Sequence, residues 1–241
     1  MTRHVLITRS PADCRDLQEL VRPAGLRLRP FPVIRVENHD DAAGWRSLDE
    51  ALATDPERPR HLLLASPRAP QRFVDQCRAG NREALLHLGA AAVGGGTAEA
   101  AEAAGLRVIV VGPGTGLGLA EQLRETWTEP SLVAFPCGVH RRDEMPRALA
   151  AAGHRVLPVE VYRMRRTPPR ELPSAGPADL VVLTSPRAAR FYLEAMGGLP
   201  LPIPHWALGP TTRDAAAALG IECRIPPEPD IHSLAEELCR T

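Results

Sequence analysis

Short, continuous apolar runs alternate along this chain with longer stretches in which apolar residues return every three or four positions. The short runs lie near Val5–Thr8, Leu62–Ala65, Ala90–Val93, Val108–Val111, Leu132–Phe135, Arg155–Pro158, Leu180–Thr184, His205–Leu208 and Cys223–Ile225. They read as strands with both faces buried. The longer stretches predict helices at Ala12–Ala24, Trp45–Ala53, Arg68–Cys77, Thr97–Ala104, Leu117–Thr126, Arg142–Ala152, Arg187–Met196, Thr212–Leu219 and Ser233–Cys239. In the first of these Leu17, Leu20 and Val21 share a face, and Gly25 is the expected stop. Strand–helix alternation with no polar face on the strands predicts an α/β fold of doubly wound parallel sheets.

The pattern also repeats. Ser-Pro-Arg-Ala follows a strand at Ser66–Ala69 and again at Ser185–Ala188. Val93-Gly-Gly-Gly-Thr97 leads through alanine-rich sequence to Gly105, as Leu208-Gly-Pro-Thr-Thr212 leads to Gly220. Leu6–Arg35 is echoed by Val133–Arg163. Three matched pairs in one order predict two related lobes of about 120 residues, with a site between them as the first place to seek function.

Phe31–Glu37 and Pro158–Met164 depart from the alternation, since each is an extended segment without a clear helix directly after it. Residues 33–37 and 159–164 are expected to pair as a two-stranded β connection. One lobe would then be the inserted stretch 38–160, and the other would join 1–36 to 166–241. A plain division into N-terminal and C-terminal halves is the alternative.

Serine before proline after a strand is a helix opening, with serine as N-cap and proline at the first helical position. Ser66 and Ser185 are caps on that reading. The same openings, with Gly94–Thr97 and Gly209–Thr212, present free backbone N–H groups at the carboxyl ends of parallel strands, where anions bind. Gly112-Pro-Gly-Thr-Gly-Leu-Gly118 misses the dinucleotide register, because leucine falls where the third glycine belongs. It reads as a turn before a helix. Tyr162 is one of only two tyrosines and has Arg163, Arg165 and Arg166 close by. Its hydroxyl could face a cleft as a proton donor, or its ring could simply pack at a lobe junction.

Composition then removes whole classes of chemistry. The 29 basic residues are all arginine, so Schiff-base, pyridoxal phosphate and P-loop lysine chemistry are excluded. A net charge of +0 argues against a general nucleic-acid binder. The eight histidines show no metal-ligand spacing, and no metal is expected. Five widely spaced cysteines read as reduced thiols. No apolar run approaches a membrane span, and Met1-Thr-Arg leads straight into a strand, so a cytoplasmic protein without a signal peptide is expected.

Together these residues resemble the uroporphyrinogen-III synthase family. The segments that carry the likeness are Val5–Arg9, Ala65–Arg68, Val93–Gly105, Gly138 with Arg142-Asp-Glu144, Val161–Arg163, Leu183–Pro186 and Leu208–Thr212 with Leu219-Gly220. The resemblance implies two α/β lobes joined by a two-stranded ladder, one lobe built from both chain ends. It implies closure of the linear tetrapyrrole hydroxymethylbilane with inversion of ring D and loss of water, a lyase reaction with neither metal nor organic cofactor. Tyr162 matches the tyrosine proposed to help the hydroxyl leave. Arg9, Ser66, Arg68, Thr97, Ser185, Thr211 and Thr212 match substrate-binding positions. Two departures touch the expected contacts: Pro136-Cys137 stands where relatives often carry arginine before the glycine, and Gly95 replaces a frequent proline. A monomer without nucleic-acid or membrane partners is expected. The competing classes are a two-lobed binding protein that closes on an anion without reacting, and a nucleotide-dependent enzyme. The broken glycine register and missing lysine count against the last.

Overall fold

Val5 and Ile7 point into one hydrophobic cluster while Leu6, between them, points into another. A strand with two buried faces has no polar side to show, which is why the apolar run is continuous. The computed structural model describes residues 2–240. In chain order the elements are β1 (Arg3–Ile7), α1 (Arg15–Val21), β2 (Leu26–Pro30), β3 (Ile34–Asn38), α2 (Ala42–Thr54), β4 (Arg60–Leu64), α3 (Pro70–Ala79), β5 (Gly89–Ala92), α4 (Gly95–Ala103), β6 (Val108–Val111), α5 (Gly116–Thr126), β7 (Leu132–Gly138), α6 (Glu144–Ala151), β8 (Arg155–Arg166), β9 (Leu180–Leu183), α7 (Pro186–Ala195), β10 (His205–Ala207), α8 (Pro210–Ala217) and α9 (Ile231–Arg240).

The chain divides into two units. One runs up to Arg35 and resumes at Arg165; the other is Val36–Met164. The first contains a parallel sheet in the order β10-β9-β1-β2. Residues of α1 and α9 join Val5, Ile7, Leu180 and Val182 on one face, and residues of α7 and α8 join Leu6, Val181 and Leu183 on the other. The second contains a mostly parallel sheet in the order β3-β8-β7-β4-β5-β6. Leu62 and Leu64 pack with α2, α3 and α4, whereas Leu63 packs with α5 and α6. The predicted class, doubly wound α/β with two sheets, is the one observed.

Several local expectations need correction. The helix predicted over Ala12–Ala24 is shortened to α1 between two 3-10 turns, Ala12–Cys14 and Arg22–Ala24. Pro23 accounts for the second turn, because it supplies no N–H for an α-helical bond. Cys223–Ile225 is not a strand; Arg224 makes a single bridge to Trp206. The stretches around Arg155–Pro158 and Val159–Met164 are one continuous strand, β8.

The two Ser-Pro-Arg-Ala copies also fold differently. Ser185 caps α7, its Oγ accepting from Ala188 N at 3.1 Å, and Ala189 N donates to Ser185 O at 3.0 Å. At the first copy the position of Ala189 is taken by Pro70, which has no N–H for that opening bond. Ser66 therefore heads a turn: its Oγ accepts from Arg68 N at 3.3 Å, and the helix starts four residues later with Ala69 as N-cap and Pro70 at its first position. Ser185→Ala is expected to cost about 1 kcal/mol. Ser66→Ala should cost less than half of that, since no helix rests on it. Paired urea melts of the two variants check the difference.

Candidate active site

In the second unit β7 outruns its neighbour. Its last partner on β4 is Ala134, which pairs with Leu62, while pairing with β8 continues to Gly138. Pro136 falls two residues past that last β4 partner, where no ladder with β4 remains to be broken by its missing N–H. The freed ends of β4 and β7 leave a cavity of about 640 Å³ at the carboxyl edge of the sheet. Such an edge is where open α/β sheets bind ligands.

Tyr162 of β8 lies on the cavity wall and is 8% exposed. The strand around it is held from several sides. Val139 N donates to Tyr162 O at 3.0 Å, and Gln76 Nε2 reaches Val161 O at 3.4 Å and His39 O at 2.9 Å. Gln76 is itself fixed by Trp45 Nε1, which donates to its Oε1 at 3.0 Å. Two residues before Tyr162, Glu160 N donates to Asp41 Oδ2 at 3.0 Å, and the other oxygen of Asp41 caps α2 through Gly44 N. The Glu160 carboxylate accepts from Arg141 Nη1 at 2.8 Å and lies 3.5 Å from His39 Nε2.

His140, Arg141, Arg142 and Glu144 line one side of the cavity. Arg141 is committed to Glu160 and Asp143, so much of its charge is answered within the protein. Arg142 is exposed on the same wall, its charge open to solvent. The wall also includes Ser66 and the backbone of Gly114–Gly116, where Thr115 Oγ1 caps α5 by accepting from Gly118 N at 3.2 Å. The glycine-rich stretch read as a turn is a turn, and it also forms cavity wall. Its close approach to the next loop explains a second glycine: a Cβ on Gly94 would lie 3.1 Å from Gly114 Cα. Cys137 lines the same space. Burial pushes its thiol up to about 12 against the opposing pull of Arg141, so it stays protonated and is no nucleophile at neutral pH.

Of the residues singled out in the sequence, Ser66 and Tyr162 meet on this wall. Arg68 is exposed on the turn that follows Ser66, and its backbone N–H is spent on Ser66 Oγ. Thr97 is buried inside the first turn of α4, with its N–H donating to Gly94 O at 3.0 Å. Neither lines the cavity. The other four belong to the first unit. Arg9 and Ser185 follow β1 and β9, which are tied together by Thr8 Oγ1 and Thr184 Oγ1 at 3.2 Å. Thr211 is exposed and Thr212 buried at the start of α8. Gly209, the N-cap there, is a glycine for space: a Cβ would lie 2.8 Å from Pro229 Cβ. Thr115, His140 and Arg141 were not anticipated. The Gly-Pro-Gly-Thr-Gly loop signalled the first; no periodicity distinguishes the other two. Among the described residues no group of three or more His, Cys, Asp or Glu side chains is arranged to hold a metal, and no helix is long and apolar enough to cross a membrane.

The family model described as uroporphyrinogen-III synthase HemD matches residues 15–236. The chain belongs to this family. Its members are lyases of tetrapyrrole biosynthesis, and the resemblance carried by the motifs holds over most of the chain. Among solved structures, uroporphyrinogen-III synthetase from Helicobacter pylori is 13% identical, with 99% of each chain covered and a TM-score of 0.65. A mutant uroporphyrinogen III synthase from the extremely thermophilic bacterium Thermus thermophilus is 20% identical, covering 99% of this chain and 98% of that one, with a TM-score of 0.56. At those identities both show the shared fold alone. No curated protein matches the chain.

Proposed function

We propose that this uroporphyrinogen-III synthase family member closes hydroxymethylbilane to uroporphyrinogen III, with Tyr162 serving the departing hydroxyl. The observation that carries the reading is the placement of that phenol, with the exposed Arg142, on the wall of a cavity at the carboxyl edge of a parallel sheet. In the proposed step the pyrrole nitrogen lone pair expels the hydroxymethyl oxygen. The C–O bond breaks, the phenol proton leaves with that oxygen as water, and an azafulvenium cation remains. A phenol O–H is a competent hydrogen-bond donor for such a leaving group. Attack through the substituted carbon of ring D gives a spiro intermediate, which fragments and recloses with that ring inverted.

The linear substrate can also close unaided to the symmetric type I isomer, so the protein's main task is conformational. Holding a flexible chain in one reactive pose supplies roughly 7–11 kcal/mol in well-oriented intramolecular reactions. The substrate's carboxylates suit the exposed Arg142 on the cavity wall. In the first unit Arg9, Ser185, Thr211 and Thr212 belong to the same proposed set, and in the second Ser66 offers a hydroxyl on the cavity wall. Arg68 and Thr97 would contribute through the turn and helix they sit in. The protein is expected to convert freshly prepared hydroxymethylbilane to the type III isomer without added metal or organic cofactor. Separation of the two isomers by chromatography is the test. Product that remained type I at every protein concentration would remove the proposal, and tight substrate binding without conversion would favour a binding protein.

A further inference from the structure

We infer that Gly138 is a positioning residue that sets the place of the Tyr162 phenol by having no side chain; the inference deepens the proton-donor reading and rests on it. Glycine here is not needed for its backbone freedom, because Gly138 is not among the positive-φ residues of the described chain. It is needed for room. A Cβ at 138 would lie 2.7 Å from both Cε2 and Cζ of Tyr162 and 3.0 Å from its hydroxyl oxygen. Those three atoms are the nearest that the added carbon would meet, so the phenol end of the ring lies against the bare backbone of β7.

The strand register explains how the ring comes to lie there. Cys137 pairs with Glu160, but Gly138 pairs with Tyr162, so Val161 is the extra residue of a bulge. A bulge bends its strand and re-aims the next side chain. The backbone on either side is pinned, by Val139 N on Tyr162 O and by Gln76 on Val161 O. With both strands held, an added methyl group at 138 is accommodated by moving the ring into the cavity. A shift of about 1 Å in a reacting group costs on the order of 10²-fold in rate.

The test is a double-mutant cycle read in both rate and stability. Gly138→Ala is expected to lower kcat for type III formation by about 10²-fold with KM changed less than about threefold. In a Tyr162→Phe background the same alanine should add almost no further loss of rate, because the proton donor is already gone. In a Tyr162→Ala background it should leave the melting temperature where that single variant has it, because the atoms it would strike are absent. If Gly138→Ala alone fails to fold, recovery of folding in Gly138→Ala/Tyr162→Ala supports the inference, and failure of the double variant overturns it. An equal drop in melting temperature with and without the tyrosine ring also overturns it. A slow Tyr162→Phe beside a fully active Gly138→Ala defeats the positioning role and leaves the proton-donor reading standing. A fully active Tyr162→Phe defeats that reading, and the catalytic consequence drawn for Gly138 with it.

Discussion

Tyr162→Phe is expected to lower the rate of type III formation by about 10²–10⁴-fold, the usual contribution of one general acid, while leaving KM within a few-fold. The ring stays in the variant, so its packing against Gly138 and the Leu62 cluster is kept and only the O–H is lost. The proposed carboxylate contacts are made by other groups, which is why binding should hardly change. The spontaneous route to the type I isomer is untouched, so the ratio of type III to type I should fall along with the rate. Steady-state kinetics with isomer analysis on the folded variant decides the matter. An undiminished rate would leave Tyr162 as a packing residue.

His154→Leu is expected to stabilise the protein at neutral pH. The histidine is 4% exposed, and neither ring nitrogen has a hydrogen-bond partner. Its ring meets Trp127 edge-on at 5.7 Å, and Trp127 stacks on His61 at 4.1 Å. Leaving a buried polar group unmade costs about 1–3 kcal/mol, more than the ~0.5–1.5 kcal/mol an aromatic pair returns. Leucine fills a similar volume without the polar atoms. Burial, and next the nearby Arg58, lowers the His154 pKa; burial, and next His154, lowers that of His61. His205 in the other unit is lowered too, chiefly by burial. A histidine harder to protonate when folded contributes stability that is whole above its unfolded pKa of about 6.5. Below it the unfolded chain takes up protons first, and that contribution is lost as pH falls toward the folded value. The advantage of the leucine variant should therefore widen between about pH 7 and pH 5.5 in urea melts. A gap that narrows on acidification would contradict the burial argument.

How far the residues announce this depends on what each signal encodes. Strand–helix alternation, apolar runs on both strand faces and the paired Ser-Pro-Arg-Ala motifs are properties of neighbours along the chain. They suffice for the doubly wound α/β class, and with the Tyr162 and Gly-Pro-Thr-Thr segments they suffice for the family. Even the uneven fate of the two serines is written locally, in Pro70 standing where the second copy has Ala189. Which side chains share a wall is a different kind of fact. His140 and Arg141 reach the cavity because β7 runs beyond β4, and Thr97 misses it because its helix turns that side chain inward. Gly138 looks in sequence like any strand-end glycine. Only pairing with β8 and the bulge at Val161 bring it beneath the Tyr162 ring. Periodicity reports which face of an element is buried. Register, bulges and unequal strand lengths decide what that face meets, because they depend on partners far away along the chain.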